Sequence, residues 1–280
     1  MPTSSELVKR LDSFNFPSAP AVVVRLSQLL AQDYTTGEQL AEVMALDAGI
    51  TARALRLANS VVFRGGGGVK SIPEAVLRVG VDGIRDIVFA LSVVRALRPT
   101  QFDYRPFWRH SLAVAQTTQV VKGHSLNVPD PLPEAYAAGL LHDIGMIVMD
   151  RTLGADYRKV LDRARSTGWP LREVERQVIG TDHAEVGGRL LETWRLPSPL
   201  AAAVRAHHEP LAESQPTACL VYLADFICNS HGVDHGTGCR PGPCAPGVLD
   251  RLGVSEAELP ALATEMQAGL AHAEAILAEA

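Results

Sequence analysis

Ala137 to Met149 reads AAGLLHDIGMIVM, small and aliphatic residues interrupted by the adjacent pair His142-Asp143. A neutral imidazole beside an ionised carboxylate is a donor set suited to Zn, Fe, Mn or Ni. The same residue types recur outward from this run. His110 lies upstream on FWRHSLAVA, and His183 lies downstream in TDHAEVGGRLLETWRLP (Thr181 to Pro197). The pair His207-His208 follows in RAHHEP (Arg205 to Pro210), and Asp225 in LADFIC (Leu223 to Cys228). One histidine on a half-apolar helix is more often a hydrogen-bonded core residue. Seven such residues together, including two adjacent pairs and each within or at the end of an apolar helical pattern, point to helices focused on one pocket.

The sequence around these residues is helical. Val22, Val23, Leu26, Leu29 and Leu30 share one helical face, Thr36 caps a helix through Leu46, and Ala48 to Ser60 places Ile50, Ala54, Leu57 and Ala58 opposite its arginines. Gly65 to Gly68 breaks the pattern. The stretch RGGGGVKS is not a phosphate-cradling loop, because Val69 separates Gly68 from Lys70 and a helix rather than a strand precedes it. Pro73 starts a helix through Val79, Gly80 stops it, and Ile84, Ile87, Val88, Leu91 and Val94 carry the next. After Pro99 a long helix runs from Pro106 to about His124, followed by the break NVPDPLP (Asn127 to Pro133). Further helices are predicted over Glu134–Ile144, Ala155–Ser166, Leu171–Ile179, His183–Trp194, Pro197–His207, Pro216–Asn229 and Ser255–Ala280. No period-2 strand pattern or internal repeat is present, so the fold class is all-α. The predicted organisation is a helical lobe over 14–98, a second over 99–230, a Gly/Pro/Cys/His loop over 231–254 and a C-terminal helix over 255–280.

The chain has 280 residues, 47% apolar and 20% charged, with a formal charge of -5. That balance disfavours a nucleic-acid partner bound through overall positive charge. No apolar run reaches the roughly 18 residues that span a bilayer, and Met1 to Arg10 lacks a secretory core, so a cytoplasmic protein without membrane contact is expected. Cys219, Cys228, Cys239 and Cys244 read as free thiols or a local metal cluster rather than disulfide staples. His231, His235, Cys239 and Cys244 could wrap a tetrahedral zinc; their irregular spacing and the missing scaffold favour a plain loop. Arg53, Arg56, Arg64 and Lys70 read as a solvated basic face, with docking of an acidic partner as the alternative.

Taken in order, the motifs above resemble the HDOD domain, the HD-related output domain of bacterial signalling proteins. FPSAPAVVVRLSQLL, the Leu46-Asp47-Ala48 step, RALRLANS and AVLRVGVDGIRDIV resemble that family's opening helices, so the likeness covers roughly residues 14 to 230. It implies a two-lobe helical domain whose second lobe is a modified HD fold. Carried over one by one, His110, His142, Asp143, His183, His207, His208 and Asp225 fall on ligand positions of metal-binding relatives. One ion would be held by His110, His142, Asp143 and Asp225, and Asp143 would bridge to a second held by His183, His207 and His208. Two departures separate the chain from the related HD-GYP phosphodiesterases. Met146 stands where those enzymes have a phosphate-neutralising lysine, and no Gly-Tyr-Pro follows His207-His208-Glu209. The expected function is a signalling module acting through protein contacts, with one or two transition-metal ions retained. The alternative is a metal-dependent phosphohydrolase of a nucleotide or cyclic dinucleotide, with catalysis centred on Asp143. The resemblance leaves no room for a receiver or cyclic-dinucleotide domain, so a signalling partner is expected in trans. The C-terminal helix either caps the second lobe or drives self-association.

Overall fold

The computed structural model describes residues 6, 9, 13, 18–30, 35–60, 68–130, 132–212, 215–236 and 242–280. The described residues form helices and connecting turns without a strand, as the hydrophobic periodicity predicts. The first cluster comprises α1 (Ala21–Leu30), α2 (Gly37–Met44), α3 (Ala48–Ala58), α4 (Ile72–Val79) and α5 (Val81–Ala96). The second comprises α6 (Tyr104–His124), α7 (Ala135–Leu141), α8 (Ile144–Leu153), α9 (Ala155–Thr167), α10 (Leu171–Val178), α11 (His183–Thr193), α12 (Ser198–Ala206) and α13 (Thr217–Ser230). The short α14 (Val248–Leu252) and the long α15 (Leu259–Glu279) complete the chain.

Local chemistry sets several of these boundaries. Thr36 and Gln39 form a reciprocal capping box at α2, Asp47 accepts from the Ile50 N–H at α3, and Ser71 with Pro73 opens α4. Gly80 ends α4 at φ 86, a backbone conformation that costs glycine little. The main departure from the predicted elements lies in the run quoted first. The helix expected over Glu134–Ile144 stops at Leu141, and a separate helix, α8, begins at Ile144. His142 and Asp143 occupy the turn between them, with Asp143 at φ -96, ψ 9. Apolar periodicity continues across that turn, which is why the break does not show in the pattern.

Helix α5 is the axis of the first cluster, contacting α1, α2, α3 and α4, and its residues Ile84 to Val94 are mostly buried. Helix α6 is the axis of the second, packed against α7, α13 and α15. Helix α15 lies along α6 and α13 and also touches α3 and α5, so it caps the second cluster while reaching back to the first. Its tail is held by the basic face of α3. Arg56 pairs with Glu279 at 2.8 Å, and Arg53 donates to the Glu279 carbonyl. These two arginines are therefore engaged within the chain, while Arg64 lies outside the described residues.

Two carboxyl groups, one buried and one partly buried, tie the clusters together. Asp150 on α8 accepts from the N–H and hydroxyl of Thr100 (2.5 and 2.9 Å) and from the Gln101 N–H (2.7 Å), fixing the connection between α5 and α6. Asp150→Ala leaves those donors without their acceptor and is expected to cost about 2–3 kcal/mol in denaturant unfolding. Asp86 on α5 accepts from Arg85 at 3.0 Å and from Gln119 of α6 at 3.4 Å. Burial pushes its carboxyl up to about 6 even though Arg85 opposes the shift. The folded state then binds the proton more tightly than the unfolded chain, so stability falls as pH rises from about 4 through 6. In Asp86→Asn, melts across that range are expected to lose this slope.

Candidate metal centre

The turn carrying His142 and Asp143 sits where α7, α8, α6 and α11 converge, and glycines permit that convergence. A Cβ on Gly139 would lie 2.8 Å from the Ala115 Cα of α6, and one on Gly145 would lie 1.9 Å from the His183 carbonyl oxygen of α11. The glycines that flank the pair thus let its two neighbouring histidine-bearing helices come into backbone contact with it. Asp182 starts α11 by accepting from the Glu185 N–H, which places His183 in the first helical position, facing Asp143.

The carboxylate of Asp143 is the midpoint of the site. Its Oδ2 lies 3.2 Å from His142 Nε2 and 3.7 Å from His110 Nε2, while Oδ1 lies 3.2 Å from His183 Nε2 and 3.7 Å from His207 Nε2. Asp225 Oδ1 approaches the first group, 3.1 Å from His110 Nε2 and 3.7 Å from His142 Nε2. His208 Nε2 completes the second, 2.7 Å from His183 Nε2. Two ligand groups of metal-binding size result, His110-His142-Asp143 and His183-His207-His208, each with donor atoms within 4.8 Å of one another. The resemblance divided the residues in this way and gave Asp143 the bridging position.

The opposite edges of the imidazoles are fixed by acceptors. Nδ1 of His110 donates to the Val233 carbonyl (2.7 Å), that of His142 to Gly139 (2.8 Å), that of His207 to Val204 (2.7 Å) and that of His183 to the Glu175 carboxylate (2.6 Å). In the neutral rings these bonds leave the Nε2 lone pairs directed inward. His110 and His142 then face each other Nε2 to Nε2 at 3.3 Å, and the buried Nε2 of His207 has no hydrogen-bond partner. Converging lone pairs and carboxylates require a positive charge between them, and the pattern of a ligating nitrogen backed by a hydrogen-bonded Nδ1 is that of metal-bound histidine. The residues therefore fit a divalent transition metal.

The electrostatics agree. Burial opposes charging of His142 and His183, yet Asp143, and for His183 also Glu175, raises both. Burial likewise resists ionisation of Asp143 and Asp225, but the surrounding histidines pull both carboxyls down. The site attracts positive charge overall. His207 is held at about 3 by burial and by His142, and burial with His207 and His183 keeps His208 well below its ordinary value, so both present neutral imidazoles.

All seven residues named from the sequence meet at this centre. Two more belong to it. Glu175 is fully buried and accepts from the His183 N–H (3.0 Å) and ring and from the Tyr157 hydroxyl (2.7 Å). Its signal was present, since Leu171, Val174, Glu175 and Val178 share one helical face and only Glu175 is acidic. His235 also enters the site, with Nε2 4.0 Å from Asp143 Oδ2 and its ring 5.4 Å from that of His110. The zinc-loop alternative includes a residue outside the described ones; among the described residues neither ligand group contains His231, His235 or Cys244, and the His231 ring bonds the Ile227 carbonyl at 2.9 Å. Cys239 lies outside the described residues. Cys219 and Cys228 are buried free thiols. Met146 is fully buried in the hydrophobic core. A cavity of about 240 Å³ opens beside Asp143, His183, His208, Asp225 and His235, with Arg172, Tyr222 and Asn229 in its wall.

This helical fold is shared with known proteins. The HDOD domain model matches residues 16–210, and the chain belongs to the HDOD domain family. Three solved structures share the fold. An HDOD domain protein of unknown function from Geobacter sulfurreducens is 23% identical with a TM-score of 0.79, covering 97% of this chain and 95% of that one. A protein assigned to signal transduction from Marinobacter aquaeolei VT8 is 20% identical with a TM-score of 0.82, covering 98% and 65%. A protein assigned as a phosphohydrolase from Shewanella amazonensis SB2B is 23% identical with a TM-score of 0.73, covering 96% and 97%. An uncharacterized protein of Treponema pallidum (strain Nichols) is 22% identical over 207 residues, 73% of this chain. The chain spans 39% of the length of that curated relative. Among the described residues no helix is long and apolar enough to cross a membrane.

Proposed function

We propose that the protein is a signal-transduction output module that holds a dinuclear transition-metal centre and acts through contacts with signalling proteins supplied in trans or with a second copy of itself. The observation that carries the metal reading is the placement of Asp143, whose two oxygens face two separate histidine groups with inward-directed Nε2 lone pairs. His110, His142, Asp143 and Asp225 would hold one ion, and His183, His207, His208 and Asp143 the other. Fe, Mn, Zn or Ni suits this nitrogen–oxygen donor set. A metal bound there supplies Lewis acidity and lowers the pKa of coordinated water.

The chain's own residues favour binding over turnover. Met146, which stands in the position of the phosphate-neutralising lysine, is packed in the core and brings no charge to the cavity. Arg172 is the guanidinium in the cavity wall, but it is bound to Asp182 at 3.0 Å and to Glu209. Its charge is offset before any phosphate arrives. Asp182 in turn caps α11 through its other oxygen and also holds Arg176 at 2.7 Å, so Arg172 is part of the ion network at the start of the helix that carries His183.

The alternative phosphohydrolase reading rests on the ligand set and on that same cavity. The two are separated by assaying metal-loaded full chain, with Mn and with Fe, against bis-p-nitrophenyl phosphate and a cyclic dinucleotide. Metal uptake without phosphodiester cleavage is expected. Cleavage that depends on the added metal and disappears in Asp143→Asn would establish the enzyme instead.

A further inference from the structure

One side chain reaches the centre from outside the ligand set of the family. His235 lies in the segment that follows α13, yet it is only 13% exposed, and its buried Nδ1 has no hydrogen-bond partner. Its ring stands edge-on to His110 with centroids 5.4 Å apart, close to the 5.2 Å between His110 and His142. Its Nε2 is 4.0 Å from Asp143 Oδ2, against 3.7 Å for His110 Nε2 from the same oxygen. By position it is one more imidazole on the His110–His142 side.

The segment that presents it is anchored at both ends. Val233 is buried, and its carbonyl receives the Nδ1–H of His110, so a residue of the centre itself holds the strap. The Val233 N–H donates to the Cys228 carbonyl at 2.9 Å, which fixes the exit from α13. Beyond His235, the Gly236 carbonyl accepts from Arg165 of α9 at 2.8 Å, and the Gly236 N–H donates to Asp234 Oδ1 at 2.7 Å. Gly236 turns there at φ 83, with its Cα side against Pro106 of α6.

We propose that His235 is an additional protein ligand of the ion held by His110, His142, Asp143 and Asp225, and that Val233–Gly236 is a strap that closes this side of the centre. A catalytic metal keeps a position open for water or substrate, whereas a structural one is saturated by protein donors. A histidine delivered by the strap occupies such a position. The inference rests on the metal-centre reading and deepens it, because it gives a reason within this chain for binding without turnover.

The test uses the full chain loaded with Co(II) and compares wild type, His235→Ala, His235→Asn and the control His231→Ala. Affinity is read by chelator competition, ligand-field changes by visible absorption, and folding by circular dichroism. Both His235 variants are expected to fold, to bind one ion at least about tenfold more weakly, and to show a changed visible band. His231→Ala is expected to match the wild type in every readout. Wild-type affinity and spectrum in both His235 variants would overturn the strap while leaving the centre standing. A wild type that takes up no cobalt would overturn the centre and the strap together.

Discussion

Gly145→Ala is expected to prevent stable folding of the second helical cluster. The added methyl would sit 1.9 Å from the His183 carbonyl oxygen and 2.7 Å from the Gly187 nitrogen, both backbone atoms that no rotamer change can move aside. Relief requires α8 and α11 to separate. That would withdraw His183 from Asp143 and open the packing of Ile144, Ile147 and Val186. Over-packing a close helix crossing against backbone belongs among the large mutational effects, above about 4 kcal/mol. The expected result is loss of the cooperative thermal transition, or a melting temperature lowered by more than about 8 °C. Gly154→Ala is a useful contrast. Nothing lies within 4 Å of its added Cβ, so its penalty is backbone strain at φ 55, ψ -122, and a shift of about 1–3 kcal/mol is expected there.

The second large effect concerns metal. In the metal-free protein, the Nε2 edges of four buried histidines and the carboxylates of Asp143 and Asp225 crowd one another. Any ion that binds the folded chain and not the unfolded one stabilises it by RT ln(1 + [L]/Kd), about 4 kcal/mol at a thousandfold excess over Kd. In a chain of this size that corresponds to a rise in melting temperature of roughly 8 °C or more. Addition of Mn, Fe or Zn to chelator-treated protein is expected to give such a rise, and Asp143→Ala to give none. Glu175→Gln should fall between them. It keeps the ligands but weakens the acceptor that orients His183, a change that commonly costs ten- to a hundredfold in metal affinity.

Much of this architecture is legible in the chain because helices write their burial at a period of 3.6. Val22, Leu26 and Leu29, Ile50 with Ala54 and Leu57, and Ile84 through Val94 are buried where that periodicity places them. The family resemblance carried the ligand set further than spacing could, since His110, His183, His207 and Asp225 come from helices far apart in sequence. Three features were less accessible. The helix break at His142-Asp143 is masked by an apolar pattern that runs straight through it. Glu175 was visible as the lone acidic residue on an apolar face, but its partner His183 is specified only by tertiary packing. His235 was visible only as a member of the His/Cys loop cluster, with nothing to point it toward His110. It lies in a segment without periodicity, and its position depends on backbone contacts to His110 and Arg165 that the side-chain pattern does not encode.

The central claim is that Asp143 holds two ions between two histidine groups. Its most direct test is the elemental metal content of tag-free full-length protein purified without chelator, wild type beside Asp143→Ala, with circular dichroism on both. Between one and two equivalents of a transition metal are expected in the wild type, with loss of bound metal from the variant, which remains helical. A wild type with no metal above background, or a folded variant that keeps its full complement, would contradict the claim.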